Sequence, residues 1–148
     1  MRAESCVAVM KELLAALSMW LSASFGLPEM DRPPEIRFVE THALAAIRYG
    51  HAEAAGAGDI VAVYEPLTRT VFLPIRWRRD DVADVSVLVH ELVHHLQRQQ
   101  GALHRCPEER EHLAYEAQAR WLGQFGLSLE KAFGIDALSL KIRTSCLW

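Results

Sequence analysis

The chain has 148 residues, of which 51% are hydrophobic, and its 16 basic and 19 acidic residues give a net charge of −3 at pH 7. This length and apolar content fit one compact domain, residues 1–148, with a core of its own. The charge provides no basic surface for nucleic acid and no basic helix suited to a membrane surface. We therefore expect no nucleic-acid partner, and no membrane span either, since no run reaches ~18 consecutive apolar residues.

The N-terminal segment has two interpretations. Apolar side chains recur at helical spacing over residues 3–25, and Gly26 follows as a stop signal, which predicts a core helix. The uncharged run in its second half ends in small residues, Ser22-Ala23-Ser24, which resembles a secretory signal. Glu4 and Glu12 reduce the positive charge that normally precedes such a run. We predict the core helix and keep an export signal as the alternative.

The middle of the chain predicts a strand, a helix and a β-hairpin, with a glycine-rich loop between them. Ile36 and Phe38 are expected to point inward from the first strand. The two later strands are apolar and joined by a short turn, which favours antiparallel pairing. The predicted strand, helix, loop glycines and hairpin strands are, in order, Glu35–Glu40, Thr41–Tyr49, Gly50, Gly56 and Gly58, Ile60–Glu65, and Thr70–Pro74.

A broad apolar face at helical spacing predicts a buried helix over residues 84–100. Asp84 and Ser86 offer side-chain oxygens for its N-cap. Gly101 follows the last apolar position and would end the helix.

This helix carries the pattern H-E-x-x-H, formed by His90, Glu91 and His94. Four residues of helix make about 400° of turn, so both imidazoles project from one face, one above the other. Imidazoles in this arrangement can share a zinc ion, and Glu91 can reach a water bound to it. We predict one Zn²⁺ per chain. The alternative is a buried helix whose histidines make only hydrogen bonds.

A zinc peptidase site needs a third protein ligand and an open position for water. One type places a glycine and a third histidine soon after the motif, but Gln97 and Gln100 occupy those positions here. The other type takes a glutamate from a later helix. The residues alone leave six candidates open: Glu108, Glu109, Glu111, Glu116, His104 and His112.

Residues 107–125 predict that later helix. Pro107 suits its first position, acidic residues follow at the positive end of the helix dipole, and Gly126 would end it. Ser128 and Asp136 would cap two short terminal helices. The element order predicts an α+β fold, with a small antiparallel or mixed sheet of about three strands packed on helices.

H-E-x-x-H and a later E-x-x-A pattern followed by a polar residue resemble the gluzincin metallopeptidases, and in particular the minigluzincins, their smallest members. Glu111 opens the second pattern, which ends at Tyr115, where aspartate is commoner in the family. The resemblance is specific over about residues 84–126 and follows element order elsewhere. It implies Glu111 as the third zinc ligand, with Glu116 as the alternative, and a minigluzincin-like core.

This ligand set leads us to expect zinc-dependent hydrolysis of a peptide or amide bond in a peptide or protein substrate, with Glu91 as general base. Tyr115, His95 and His112 are candidates for stabilising the transition state or supporting the ligands. His95 is rotated by about 100° from the adjacent motif histidine, which favours a hydrogen-bonding role for it. The alternative is a zinc-binding regulatory or interaction module with little or no turnover.

Related gluzincins can bind an extended peptide along an exposed edge strand. The hairpin of residues 60–74 would supply such an edge in this chain. The resemblance therefore implies that the substrate pairs with this hairpin.

The three cysteines, Cys6, Cys106 and Cys146, show no C-x-x-C spacing, so a cysteine zinc site or thioredoxin-like motif is unsupported. A Cys106–Cys146 disulfide would hold the C-terminus beside the site, and free thiols are an equal alternative. We expect a cytoplasmic protein. A secreted or periplasmic location follows instead if residues 1–24 act as a signal or if the disulfide forms.

Overall fold

The structure is a computed structural model that describes residues 2–49 and 61–146. Within these ranges it has the α+β architecture that the sequence predicts. The elements in chain order are α1 (Arg2–Phe25), β1 (Glu35–Val39), α2 (Thr41–Tyr49), β2 (Val63–Glu65), β3 (Thr70–Pro74), α3 (Val82–Gln100), α4 (Pro107–Gly123), α5 (Leu129–Phe133) and α6 (Ala137–Thr144).

The described strands form one mixed sheet in the order β1-β3-β2. β3 lies in the centre, parallel to β1 and antiparallel to β2. Val71 of β3 pairs with Ile36 on one side and with Tyr64 on the other. The predicted hairpin is therefore present, and β2 forms one edge of the sheet.

One detail of the predicted sheet is wrong, and another lies outside the described residues. Ile36 packs against the core as expected, but the prediction that Phe38 points inward is wrong, because its side chain is 46% exposed. The core does not extend to this end of β1, and the Phe38 ring instead lies 6.2 Å from that of Trp77, centroid to centroid. The predicted glycine loop and the start of the second strand at Ile60 lie outside the described residues.

Helix α3 begins earlier than its predicted caps. Asp81 is the N-cap, and its carboxylate accepts a hydrogen bond from the backbone N–H of Asp84 at 3.0 Å. The Asp84 carboxylate instead accepts from the backbone N–H of Arg78 at 2.9 Å. Ser86 is buried inside the helix and donates to the carbonyl of Ala83. The prediction that Asp84 and Ser86 cap the helix is therefore wrong.

The end of α3 is as predicted. Gly101 has φ of 69°, a left-handed conformation that favours glycine. The backbone N–H groups of Gly101 and Ala102 donate to carbonyls in the last turn, those of Arg98 and Gln97. This ending directs the chain back towards α4.

Helix α3 runs through the centre of the core and packs most extensively on α4. Alanines at Ala114 and Ala117 are fully buried in that contact and let the two helix backbones approach closely. The face of α4 that carries the candidate ligand is thereby placed opposite the H-E-x-x-H face. The buried side chains at the centre of the core are Leu17, Leu21, Val71, Leu73, Leu88, Val89, Leu92, Val93 and Leu96.

Helix α1 packs on the core through Leu14, Leu17 and Leu21. By length and composition, its 20-residue segment Cys6–Phe25 would suffice to cross a membrane. The segment includes charged residues that interrupt any continuous apolar run. A minority of it is buried, and core helices and signal sequences also meet this length and hydropathy requirement.

A disulfide and two short helices form the C-terminal region. α4 ends at Gly123, slightly before the predicted Phe125, and Ser128 and Asp136 cap α5 and α6 as predicted. Cys106, the N-cap of α4, is bonded to Cys146, with 5.9 Å between their Cα atoms. The structure thus has the disulfide rather than the free-thiol alternative, and α6 is held against α4.

Candidate metal centre

Three side chains from α3 and α4 meet at one point. The Glu111 Oε2 atom lies 2.8 Å from His90 Nε2, and Glu111 Oε1 lies 3.1 Å from His94 Nε2. The three candidate ligand atoms all lie within 4.8 Å of one another. The structure therefore brings together the two motif histidines and, of the candidate third ligands, Glu111.

The hydrogen bonds at the far side of each ring determine which nitrogen carries a proton. His90 Nδ1 lies 2.9 Å from Gln118 Oε1, and His94 Nδ1 lies 3.0 Å from Gln97 Oε1. An amide oxygen only accepts, so both Nδ1 atoms donate. In the neutral imidazoles, both Nε2 lone pairs then face Glu111, as metal ligation requires.

The orientation of both glutamine amides is supported by their other hydrogen bonds. Gln97 Nε2 donates to the carbonyl of Arg110 at 3.0 Å. Gln118 Nε2 donates to Ser86 Oγ at 3.3 Å, and that hydroxyl donates to a backbone carbonyl within α3. Each histidine is thus held by an uncharged amide. Each of these amides is in turn held by the helix to which it does not belong, Gln97 by α4 and Gln118 by α3.

The donor set fits a divalent metal. With neutral rings, two nitrogen lone pairs and a carboxylate meet at contact distances that only a proton or a cation can make favourable. A tetrahedral zinc with ligands at about 2.0–2.2 Å separates neighbouring ligand atoms by roughly 3.3 Å. The separations of 2.8 and 3.1 Å between the histidine nitrogens and Glu111 are close to that value.

Without a bound metal, the Glu111 carboxylate favours protonation of the His94 ring, and a metal would displace that proton. Burial alone would raise the pKa of Glu111, but hydrogen bonds from His90 and His94 lower the pKa of this carboxyl well below its ordinary value. Burial likewise lowers the pKa of His94, yet the Glu111 carboxylate has the stronger combined effect and raises it above the ordinary value. Glu111 is therefore an anion in the folded protein.

Glu91 borders a cavity beside the cluster. Its side chain is mostly buried, and among the described residues no hydrogen bond to its carboxylate is present. The cavity has a volume of about 140 Å³ and lies between β2, the end of α3 and the start of α4. Its lining residues are Tyr64, Pro66, Glu91, His94, Gln97, Arg98, Ala102, His104, Arg110 and Glu111.

Tyr115 lies against the ring of His90 in the cluster. Its ring is edge-on to the His90 ring, with 4.5 Å between centroids. Its hydroxyl oxygen accepts a hydrogen bond from Arg143 Nη1 at 3.1 Å. Burial raises the pKa of Tyr115, so the hydroxyl keeps its proton. This proton remains available for a further hydrogen bond.

His95 faces away from the cluster. Its Nε2 donates to the carbonyl of Arg32 at 2.8 Å, and its Nδ1 accepts from the Tyr64 hydroxyl at 2.8 Å. Burial lowers the pKa of His95, which keeps the ring neutral and suits this donor–acceptor pattern. His95 therefore joins β2 and the loop before β1 to α3.

The remaining candidates lie outside the ligand cluster. His112 and Glu116 have side chains that are 70% and 49% exposed, and their nearest charged atoms are 3.9 Å apart. His104 lines the cavity but does not belong to the group of possible ligands. His112 is thus not placed to support the cluster, because it lies on the solvent side of α4.

Sequence reasoning missed the two glutamines that hold the histidines. Gln97 entered it only as a residue in the place of a glycine, and Gln118 did not enter it. A signal was present, since Gln118 follows Glu111 by seven residues and so shares its helix face. Gln97 follows His94 by three residues and is close to it for the same reason.

Comparisons with known proteins place the chain in a family. No curated protein and no solved structure matches it. A family model described as a domain of unknown function, DUF6647, matches residues 7–147. This match covers nearly all of the chain, which therefore belongs to the DUF6647 family.

Proposed function

We propose that this protein is a zinc-dependent hydrolase of peptide or amide bonds, similar to the minimal gluzincin metallopeptidases. His90, His94 and Glu111 would hold the zinc, and Glu91 would act as general base. One observation carries the proposal. The Nε2 atoms of both histidines and the carboxylate of Glu111 meet beside a cavity that is also lined by the carboxylate of Glu91.

The ligand set leaves room for chemistry. Two imidazoles and one carboxylate are a common catalytic zinc set, whereas structural sites close the shell with four protein ligands. A zinc ion bound there would polarise a substrate carbonyl and make water acidic enough to ionise near neutral pH. Within the described residues, three side chains qualify as ligands, which favours the open type.

Glu91 is suited to proton transfer. It follows His90 directly on α3 and lines the cavity, and no described side chain competes for its oxygens. A base of this kind accepts a proton from the attacking water and passes it to the leaving amine. The freedom of this carboxylate is what distinguishes it from Glu111, which is bound to both histidines.

Tyr115 is the best candidate for stabilising the oxygen that gains negative charge in the transition state. Its hydroxyl accepts from Arg143 and keeps its own proton to donate. Tyr64 also lies near the site, but its proton is used in the hydrogen bond to His95. His95 and His112 have no support for this role, because the first binds elsewhere and the second faces solvent.

The edge of the sheet offers a place for an extended substrate. Among the described strands β2 lies at the edge of the sheet, and Tyr64 and Pro66, at and just after it, line the cavity. A peptide that paired with β2 would run past Glu91 and the histidine cluster. This supports peptides as substrates through main-chain hydrogen bonds.

A zinc-binding regulatory or interaction module remains the second candidate. The same cluster could hold a metal without turnover. A carboxylate that lines the cavity, makes no hydrogen bond within the described residues and is not among the possible ligands has no evident purpose in such a module. The position of Glu91 therefore favours the enzyme.

The disulfide bears on the compartment. Disulfides such as Cys106–Cys146 persist in oxidising environments and are rare in the cytosol. We therefore propose the secreted or periplasmic location, in place of the cytoplasmic one expected from the sequence.

The test is cleavage of a mixed peptide library. Wild type should cleave, stop when the metal is chelated and recover with added zinc. Glu91→Gln should keep its zinc and lose activity by about 10²–10⁴-fold, because the amide cannot accept a proton. Glu116→Gln is the matched control, since it changes an exposed carboxylate of α4. Equal inertness of wild type and Glu91→Gln, both with zinc bound, would favour the regulatory module.

A further inference from the structure

We propose that the site selects substrates with a carboxylate close to the reacting carbonyl, and that Arg98 and Arg110 bind this carboxylate. The inference rests on the proposed hydrolase function and adds the class of substrate. It comes from the cavity wall, where Arg98 and Arg110, both exposed, line the same cavity as His94 and the two glutamates of the site.

The two arginines are positioned by the same helices that carry the ligands. Arg98 lies one helical turn after His94 and two turns after Glu91, so all three share one face of α3. Arg110 directly precedes Glu111 in α4, and its carbonyl is held by Gln97. Both side chains line the cavity that Glu91 also lines.

Neither arginine is used by an ion pair in the described part of the chain. The nearby Arg105 is paired with Glu109, and Arg78 is paired with Asp80. The acids of the cavity do not pair with Arg98 or Arg110 either: Glu111 is bound to the histidines, and no described ion pair joins Glu91 to an arginine. Two cations in a concave site without a described carboxylate partner are suited to an anion from outside.

The spacing sets how far the carboxylate lies from the reacting bond. Four residues of helix separate His94 from Arg98 by about 6 Å along the axis. An extended peptide advances about 3.3–3.6 Å per residue. Because an arginine side chain adds several ångströms of reach, the carboxylate should lie within a few residues of the carbonyl that reacts.

The volume and the charge of the cavity both suit the binding of a small anionic group. The cavity of about 140 Å³ is well below the volume of sites for drug-sized ligands. Glu91 and Glu111 balance the two arginines, so a bound divalent cation would leave the wall positively charged. A positive, concave wall concentrates anions and steers them in.

Two kinds of substrate carry such a carboxylate: a peptide that ends there, and a peptide with an acidic side chain there. The test uses three versions of one short peptide. The first ends in a free carboxylate, the second ends in an amide, and the third ends in an amide but has glutamate as its C-terminal residue. Binding is measured by calorimetry on Glu91→Gln protein, with and without zinc, so that cleavage plays no part.

We expect one of the two acidic peptides, or both, to bind about tenfold more tightly than the plain amide, as one charge-assisted contact provides. Preference for the free C-terminus assigns the α-carboxylate, and preference for the glutamate peptide assigns the side chain. Arg98→Gln and Arg110→Gln should each reduce the preference, and Arg98→Lys should keep part of it. Arg79→Gln, an exposed arginine outside the cavity lining, should leave it unchanged.

Equal affinities for the three peptides, including no measurable binding of any, would overturn the proposal. So would a preference that survives in the Arg98→Gln/Arg110→Gln double variant. The arginines keep their charge without zinc, so a preference retained in zinc-free protein stands even if zinc-dependent cleavage is never found. The failure of the hydrolase function and the failure of this inference are thereby distinguished.

Discussion

The Nδ1 atom of His90 lies 2.9 Å from the Oε1 atom of Gln118, so α4 orients a candidate ligand of α3 as well as supplying one of its own. Gln118 is buried and extends this contact to Ser86 on α3. The packing of α3 on α4 and the geometry of the ligands therefore depend on the same residues.

Replacement of Gln118 should weaken metal binding. Gln118→Met keeps the volume but removes the oxygen that accepts from His90, and loss of such a partner typically costs about 10–100-fold in metal affinity. Competition with a chromophoric chelator would measure this affinity. Gln124→Met, at an exposed position just after α4, is the matched control. Identical zinc affinities of the two variants would contradict the positioning role of Gln118.

The third ligand is tested by two glutamates of one helix. Glu111→Gln should strongly reduce zinc binding, because it removes the negative charge that lies against both histidines. Glu116→Gln should bind zinc as the wild type does, since this side chain is 49% exposed and faces His112. Isothermal titration of metal-free protein would compare them. A reversed order of affinities would assign the ligand to Glu116.

Two tyrosines should separate catalysis from stability. Tyr115→Phe should lower kcat by about 10²–10³-fold with little change in KM, if its hydroxyl donates to the charged oxygen of the transition state. Tyr64→Phe leaves His95 Nδ1 without a donor and should cost about 1–3 kcal/mol in the free energy of unfolding. Steady-state kinetics and urea unfolding of both variants measure these effects. The account fails here if Tyr115→Phe retains full kcat in an active enzyme.

The disulfide should contribute strongly to stability. It joins residues 40 positions apart. A loop of that length corresponds to about 4 kcal/mol in the chain-entropy model, so a Cys106→Ser/Cys146→Ser variant should lose a comparable free energy of unfolding. Thiol titration gives an independent check. Unreduced, denatured protein should show a single reactive thiol, that of Cys6, and three would contradict the bridge.

Much of the site was predictable because it depends on local helix geometry. The spacing of His90 and His94 places both on one face of any helix, and Gly101 and Pro107 mark where α3 ends and α4 begins. The downstream pattern that begins at Glu111 then singled out the candidate ligand whose carboxylate the structure brings to the histidines.

The rest depends on contacts between distant segments. Sequence alone offered Asp84 and Ser86 as caps and did not reveal that Asp81 would cap α3 while Asp84 binds Arg78. The parallel pairing of β1 with β3 and the meeting of Gln118 with His90 follow from how the elements pack. Helical periodicity predicts which face of a helix makes such a contact. It does not predict which residue of the neighbouring element lies opposite that face.

Metal content tests the central claim most directly. Elemental analysis of freshly purified protein, prepared without chelator, should find about one zinc per chain in the wild type. His90→Ala and His94→Ala should lose most of this zinc while circular dichroism shows a largely retained fold. His112→Ala, which changes an exposed histidine of α4, should keep it. Wild-type protein without any bound transition metal, or His90→Ala protein with undiminished zinc, would contradict the metal centre.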